Sequence, residues 1–232
     1  SPLVLSWGQD RMGGAPAQTG VKIRVIRRLF DRARPDGKNK MDDLKPAPVK
    51  LSFSHVGLHC VDLPRMVDFY TRVLGFTETD RGVVRGLDIV FTTWDPSDHH
   101  QVALVSGRPD ATGFNHVNQL SFRVPRLEDV QTVWRRVKDE PGVHDMRGTN
   151  HGNAFAFYFR DPEGNRVEVF CDTPWYISQP CIELLDLSRP AAEVMAEAEA
   201  FCRAAPGFKP IEDYHADVAA KIAAHGQALA GG

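Results

Sequence analysis

The stretch Phe53-Ser54-His55-Val56-Gly57-Leu58-His59-Cys60-Val61-Asp62-Leu63-Pro64-Arg65-Met66 decides the fold, because the chain says it twice. Phe53-Ser54-His55-Val56 returns as Phe114-Asn115-His116-Val117, and Pro64-Arg65-Met66 returns as Pro125-Arg126-Leu127, each 114 − 53 = 61 positions later. Each copy opens with a strand-like run, at about 53–61 and 114–124. A Pro-Arg helix start follows, then an amphipathic helix carrying Met66, Phe69, Tyr70, Val73 and Leu74 in one copy and Leu127, Val130, Val133, Trp134 and Val137 in the other. Strand-like runs close each copy, Asp88–Thr93 and Gln101–Val105 in the first, Ala154–Phe159 and Arg166–Phe170 in the second. The expected fold class is α+β, two βαβββ repeats covering 53–105 and 114–171 within a domain of 49–172. A 60-residue unit found only twice is a duplicated half-domain, not a solenoid.

Outward from the repeats, the composition narrows the function. The 232 residues carry 28 basic and 30 acidic side chains, a net charge of −2 that argues against nucleic acid as the main partner. No apolar run is long enough for a membrane span. The four cysteines, at 60, 171, 181 and 202, have no CxxC spacing and read as reduced thiols of a cytoplasmic protein. Residues 1–40 hold nine Lys/Arg against three Asp, so 1–48 reads as a basic extension with a candidate amphipathic helix over 21–33 and a Pro-spaced linker at 45–48. Residues 173–232 read as a helical extension, with Ser188 as N-cap of a helix of about 190–204 and a second helix of about 211–225.

Three side chains point to a metal. His55 and His116 hold the same position in the 61-residue register, so residues far apart in sequence become symmetry mates. Glu168 lies between two valines in a core strand, where a carboxylate seldom stays without a partner. Two imidazoles and a carboxylate leave coordination positions open and suit Fe(II) oxygen chemistry, with Mn(II) served equally by the same donors. The first-copy counterpart of Glu168 falls at about Ala103, which cannot ligate. The turn Asp161-Pro162-Glu163-Gly164 predicts a type I turn with a Gly bulge, pairing Asp161 with Asn165 and setting Tyr158 opposite Glu168. Phe155, Phe157 and Phe159 then lie on the other face of that strand. His99, His100, His144 and His151 read as loop residues next to strands.

The stretch from Asn153 to Phe170, with its Tyr-Phe-Arg-Asp-Pro-Glu-Gly-Asn-Arg-Val-Glu core, resembles the vicinal oxygen chelate superfamily and, within it, the type I extradiol catechol dioxygenases. The resemblance covers about 53–172 and is that of a one-domain member. It implies His55, His116 and Glu168 as iron ligands, Tyr158 and His151 as hydrogen-bonding partners of the diol oxygens, and His100 as the acid–base or charge-stabilising group beside the oxygen site. His151 stands about two residues closer to Tyr158 than in the ring-cleaving enzymes. The partners implied are an aromatic diol, monocyclic or biphenyl-like, and O2, with a homo-oligomer as the expected assembly. Two competing classes remain: a glyoxalase-type isomerase or thiol transferase of the same superfamily, and a non-catalytic small-molecule binding protein. Trp175 and Tyr176 are further candidates for the pocket wall.

Overall fold

The two copies build two sheets of the same plan. The computed structural model describes residues 50–109 and 117–231, all within one compact unit, Pro48–Gly232. The expected basic extension, the 21–33 helix, the 45–48 linker and His116 lie outside the described residues.

In the first copy, β1 (Val56–Cys60) leads into α1 (Leu63–Asp68), which continues as a π-helical turn over Phe69–Val73. Then come β2 (Thr77–Val84), β3 (Leu87–Thr93) and β4 (Val102–Ser106), giving the sheet order β1-β4-β3-β2 with β1 parallel to β4. The second copy repeats this with β5 (Leu120–Arg123), α2 (Leu127–Val137), β6 (His144–Asn150), β7 (Ala154–Arg160) and β8 (Arg166–Asp172). Its sheet order is β6-β7-β8-β5, with β5 parallel to β8 and the short β10 (Glu183–Leu184) added at the β6 edge. The βαβββ plan is therefore present twice. Strands β2 and β6, absent from the strand-like runs of the sequence, are largely exposed and polar, so neither shows hydrophobic alternation.

The ladders revise the repeat register. Val56 pairs with Val102 at the start of β1–β4, and Leu120 pairs with Val167 at the start of β5–β8. The helices begin at Leu63 and Leu127, an offset of 127 − 63 = 64. The Pro-Arg pair misled because it sits differently in the two copies. Pro64 lies inside α1, behind the cap in which the Asp62 carboxylate accepts from Arg65 N at 3.0 Å, whereas Pro125 precedes the N-cap of α2. The faces agree with 64: Leu58 and Cys60 are buried, and so is Leu120, whereas an odd offset of 61 would match core positions with the opposite face. Ala103 stays the counterpart of Glu168, since Gly57 pairs with Ala103 as Ser121 pairs with Glu168.

Between the sheets and helices, Met66, Phe69, Tyr70, Leu127, Val130, Phe155, Phe157 and Phe159 are all fully buried. The C-terminal segment shares this core through Trp175, Ile177, Leu187, Val194, Ala198 and Cys202. Helix α3 (Ala191–Ala204) starts after Pro190 without a side-chain cap; the Ser188 hydroxyl instead donates to Asp186 at 2.6 Å. The last helix, α4 (Ile211–Gly231), is longer than expected. Trp175, in β9 (Trp175–Tyr176), is buried, and Tyr176 stacks on Tyr214 of α4 with ring centroids 3.9 Å apart. Among the described residues no helix is long and apolar enough to cross a membrane.

The β7–β8 turn forms as its residues dictate. Gly164, at φ 81°, donates its N–H to the Asp161 carbonyl at 2.9 Å, and the Asp161 N–H donates to the Asn165 carbonyl at 3.0 Å. The buried Asp161 carboxylate accepts from the N–H groups of Glu163 and Asn165 and from Asn165 Nδ2, at 3.0, 2.9 and 2.8 Å. Burial pushes its carboxyl up, against the hydrogen bonds from Asn165 and Glu163 that pull it down. The turn also joins the repeats, because Glu163 accepts from the N–H groups of Val61 and Asp62. Asp161→Ala leaves these donors without a partner and is expected to cost about 2–4 kcal/mol of unfolding free energy in denaturant titration. Wild-type stability in that variant would contradict this role.

Candidate active site

Tyr158 stands opposite Glu168 in the β7–β8 ladder, as the turn chemistry requires. Phe155, Phe157 and Phe159 turn the other way into the core. On the Tyr158 face, β8 offers Glu168, β5 offers Ser121, and Gln119 lies just before it. The four make one connected group. The Tyr158 hydroxyl contacts Glu168 Oε1, while Glu168 Oε2 accepts from the Ser121 hydroxyl and, at 2.8 Å, from Gln119 Nε2. Arg147 of β6 lies over the Tyr158 ring, its guanidinium carbon 5.6 Å from the centroid.

His151 completes the group from the β6–β7 connection, its Nε2 2.9 Å from the Tyr158 hydroxyl and its Nδ1 2.7 Å from the Cys181 carbonyl oxygen. The C-terminal segment thus fixes this ring, and Gln179 adds a bond from its Nε2 to the His151 carbonyl at 2.7 Å. The Cys181 carbonyl can only accept, so Nδ1 carries a hydrogen and the neutral ring presents Nε2 as an acceptor. The single Tyr158 hydrogen then faces two acceptors, His151 Nε2 and Glu168 Oε1. One further proton on this line, or a cation taking over Glu168 Oε1, satisfies every contact. Burial first, then the Glu168 carboxylate, push the Tyr158 phenol well above its ordinary range.

The donors fit a divalent cation in a second respect. Glu168 is 8% exposed, and among the described residues it is held by neutral donors and by no basic side chain. A buried carboxylate in that condition is costly unless a cation joins it.

A second group gathers around β1, β3 and β4. His55 is exposed, 3.1 Å from the Ser54 hydroxyl through Nδ1, and its ring lies 4.1 Å from that of His100. His100 packs on Phe91 at 4.8 Å, and its Nδ1 is 2.9 Å from His99 Nδ1. His99 in turn reaches Asp80 at 2.8 Å. Burial, then the neighbouring charges of His55 and His99, lower the His100 imidazole. Both lie in the loop between β3 and β4, as expected, His99 exposed and His100 half-buried. His144, read as a loop residue, opens strand β6, exposed, with its Nδ1 3.1 Å from the Gly142 carbonyl oxygen.

Among the described residues, no three His, Cys, Asp or Glu side chains form a cluster able to hold a metal ion. Of the expected triad, His55 and Glu168 are described and His116 is not. The thiols add no donors, since burial pushes Cys60 up to about 12 and Cys171 up to about 11. Gln119, Ser121 and Arg147 escaped the sequence reading. The alternation of Gln119, Ser121 and Arg123 with Leu120, Phe122 and Val124 was the available signal.

The sequence profile of the Glyoxalase/Bleomycin resistance protein/Dioxygenase superfamily matches residues 52–169. The chain is 32% identical over 127 residues to biphenyl-2,3-diol 1,2-dioxygenase 3 of Rhodococcus globerulus, covering 51% of this chain and 62% of that protein. It is 28% identical over 122 residues to a manganese-dependent 2,3-dihydroxybiphenyl 1,2-dioxygenase of Geobacillus genomosp. 3, covering 52% and 36%. The chain therefore spans less than two thirds of the length of these relatives. A solved glyoxylase/bleomycin resistance protein/dioxygenase domain from Frankia sp. EAN1pec aligns with 54% of this chain and 100% of its own, at 21% identity and a TM-score of 0.47. With its two βαβββ units and the profile match over half its length, the chain belongs to the Glyoxalase/Bleomycin resistance protein/Dioxygenase superfamily.

Proposed function

We propose that this protein is a metal-dependent extradiol dioxygenase that opens a catechol-type aromatic ring, monocyclic or biphenyl-like, with O2. The observation that carries the reading is the Glu168–Tyr158–His151 line, in which a buried carboxylate with no cationic partner among the described residues adjoins two half-buried groups able to hold phenolic oxygens. The names of the biphenyl-diol dioxygenase relatives point the same way. Ala103, at the counterpart of Glu168, favours a site with open coordination positions over a glyoxalase-type one. His55 and Glu168 would hold the ion, with a third side chain from the opening of the second repeat. The ion, Fe(II) or Mn(II), would supply Lewis acidity toward the diol and the redox chemistry that O2 requires.

The protein's own groups do the rest. Tyr158 and His151 hydrogen-bond the diol oxygens and fix the ring for attack, an orientation effect. The proton line His151–Tyr158–Glu168 accepts the hydrogen that the diol gives up on binding. His100, beside His55, stabilises negative charge developing on the oxygen side and returns a proton. Small Ala156 and Ala154 precede Tyr158 on its own face of β7. Anaerobic loading with Fe(II) or Mn(II), followed by aerobic exposure to monocyclic and bicyclic catechols, is expected to give oxygen uptake and a coloured ring-opened product. Metal-replete protein that consumes no oxygen with any of them would overturn the proposal.

A further inference from the structure

We propose that Gln119, rather than His116, supplies the third metal-binding side chain, so that the ion is held by His55, Gln119 and Glu168. The proposal rests on the metal-dependent reading above and specifies its ligand set. The case for His116 came from the family resemblance and from the 61-residue register, which makes His116 the mate of His55 and, by the same count, sets Leu58 against Gln119 and Cys60 against Ser121. Leu58 and Cys60 are buried core residues, whereas Gln119 and Ser121 reach the carboxylate of Glu168. Three residues is an odd shift, and an odd shift along a strand exchanges its two faces. In the observed register of 64, Leu58 matches Phe122, Gly57 matches Ser121, and His55 matches Gln119.

The amide is also oriented for the task. The Glu168 carboxylate can only accept, so the Gln119 nitrogen must face Oε2, at 2.8 Å, and the amide oxygen points elsewhere. Among the described residues that oxygen has no hydrogen-bond partner. Gln119 thereby steadies one ligand through its nitrogen and offers its oxygen as another. A carbonyl oxygen in place of an imidazole nitrogen makes the donor set harder, two oxygens and one nitrogen, of the kind that suits Mn(II).

The test is Mn(II) binding, read by the loss of the free-ion electron paramagnetic resonance signal on titration, in wild type, Gln119→Ala, Gln119→His and His116→Ala. Gln119→Ala is expected to weaken binding by about 10-fold or more, and His116→Ala to leave it unchanged. Gln119→His, which restores a nitrogen donor, should bind and shift preference from Mn(II) toward Zn(II) in competition. This third arm decides the matter even if the alanine variant fails to fold. Loss of Mn(II) in His116→Ala, with wild-type affinity and preference in the Gln119 variants, would overturn the assignment alone. A wild-type protein that binds neither Mn(II) nor Fe(II) would overturn it together with the metal-dependent reading.

Discussion

Glu168→Gln is expected to lower metal affinity by roughly 10²-fold or more while leaving the metal-free protein as stable as wild type, or more so. The two halves of this result have one cause. Without a cation, Glu168 is a buried charge held by Tyr158, Gln119 and Ser121, none of which carries a positive charge. With a neutral His151 ring, its line to that ring also lacks a hydrogen. Glutamine removes the charge, and its amide hydrogen fills the gap: the amide donates to the Tyr158 oxygen, and Tyr158 donates to His151 Nε2. The substituted site is therefore better satisfied when empty and poorer as a cation site, the trade expected of a functional carboxylate. Thermal unfolding without metal and equilibrium dialysis with it read the two effects separately. A variant that loses stability but keeps its metal would make Glu168 a structural carboxylate.

The second large effect is kinetic. Tyr158→Phe should keep the metal and still bind an aromatic diol, while turnover falls on the order of 10²-fold, about 3 kcal/mol of barrier. The ring stays packed beneath Arg147. What disappears is the hydroxyl linking Glu168 to His151, and with it the path for the diol proton and one hydrogen bond to the substrate. Metal content, diol binding and oxygen uptake on a single preparation distinguish this from ligand loss, in which all three fall together. Unchanged turnover in metal-replete Tyr158→Phe would remove the phenol from the reaction.

Why one half of this site was legible in the sequence and the other was not comes down to local chemistry. The β7–β8 hairpin could be read residue by residue, because Asp161, Pro162 and Gly164 each demand one backbone conformation and the turn then fixes every pairing in the ladder. That gave Tyr158 opposite Glu168 and the three phenylalanines in the core. The second repeat's opening had no such anchor. Three matching letters around His116 and a Pro-Arg pair outweighed the helix start, though only an even offset keeps Leu58 and Leu120 on one face. Gln119, whose amide reaches the Glu168 carboxylate, was passed over for the same reason. The links from Gln179 and Cys181 to His151 depend on a fold-back that leaves no periodic trace.

The most direct test of the account is a single-turnover reaction of metal-loaded protein with a bound catechol and a measured amount of O2, followed by mass analysis of the product. Ring cleavage predicts that O2 and diol disappear in equal amounts and that the product is heavier than the diol by both oxygen atoms. Recovery of the diol unchanged, or rearranged without oxygen gained, from protein shown to hold both metal and diol would contradict it.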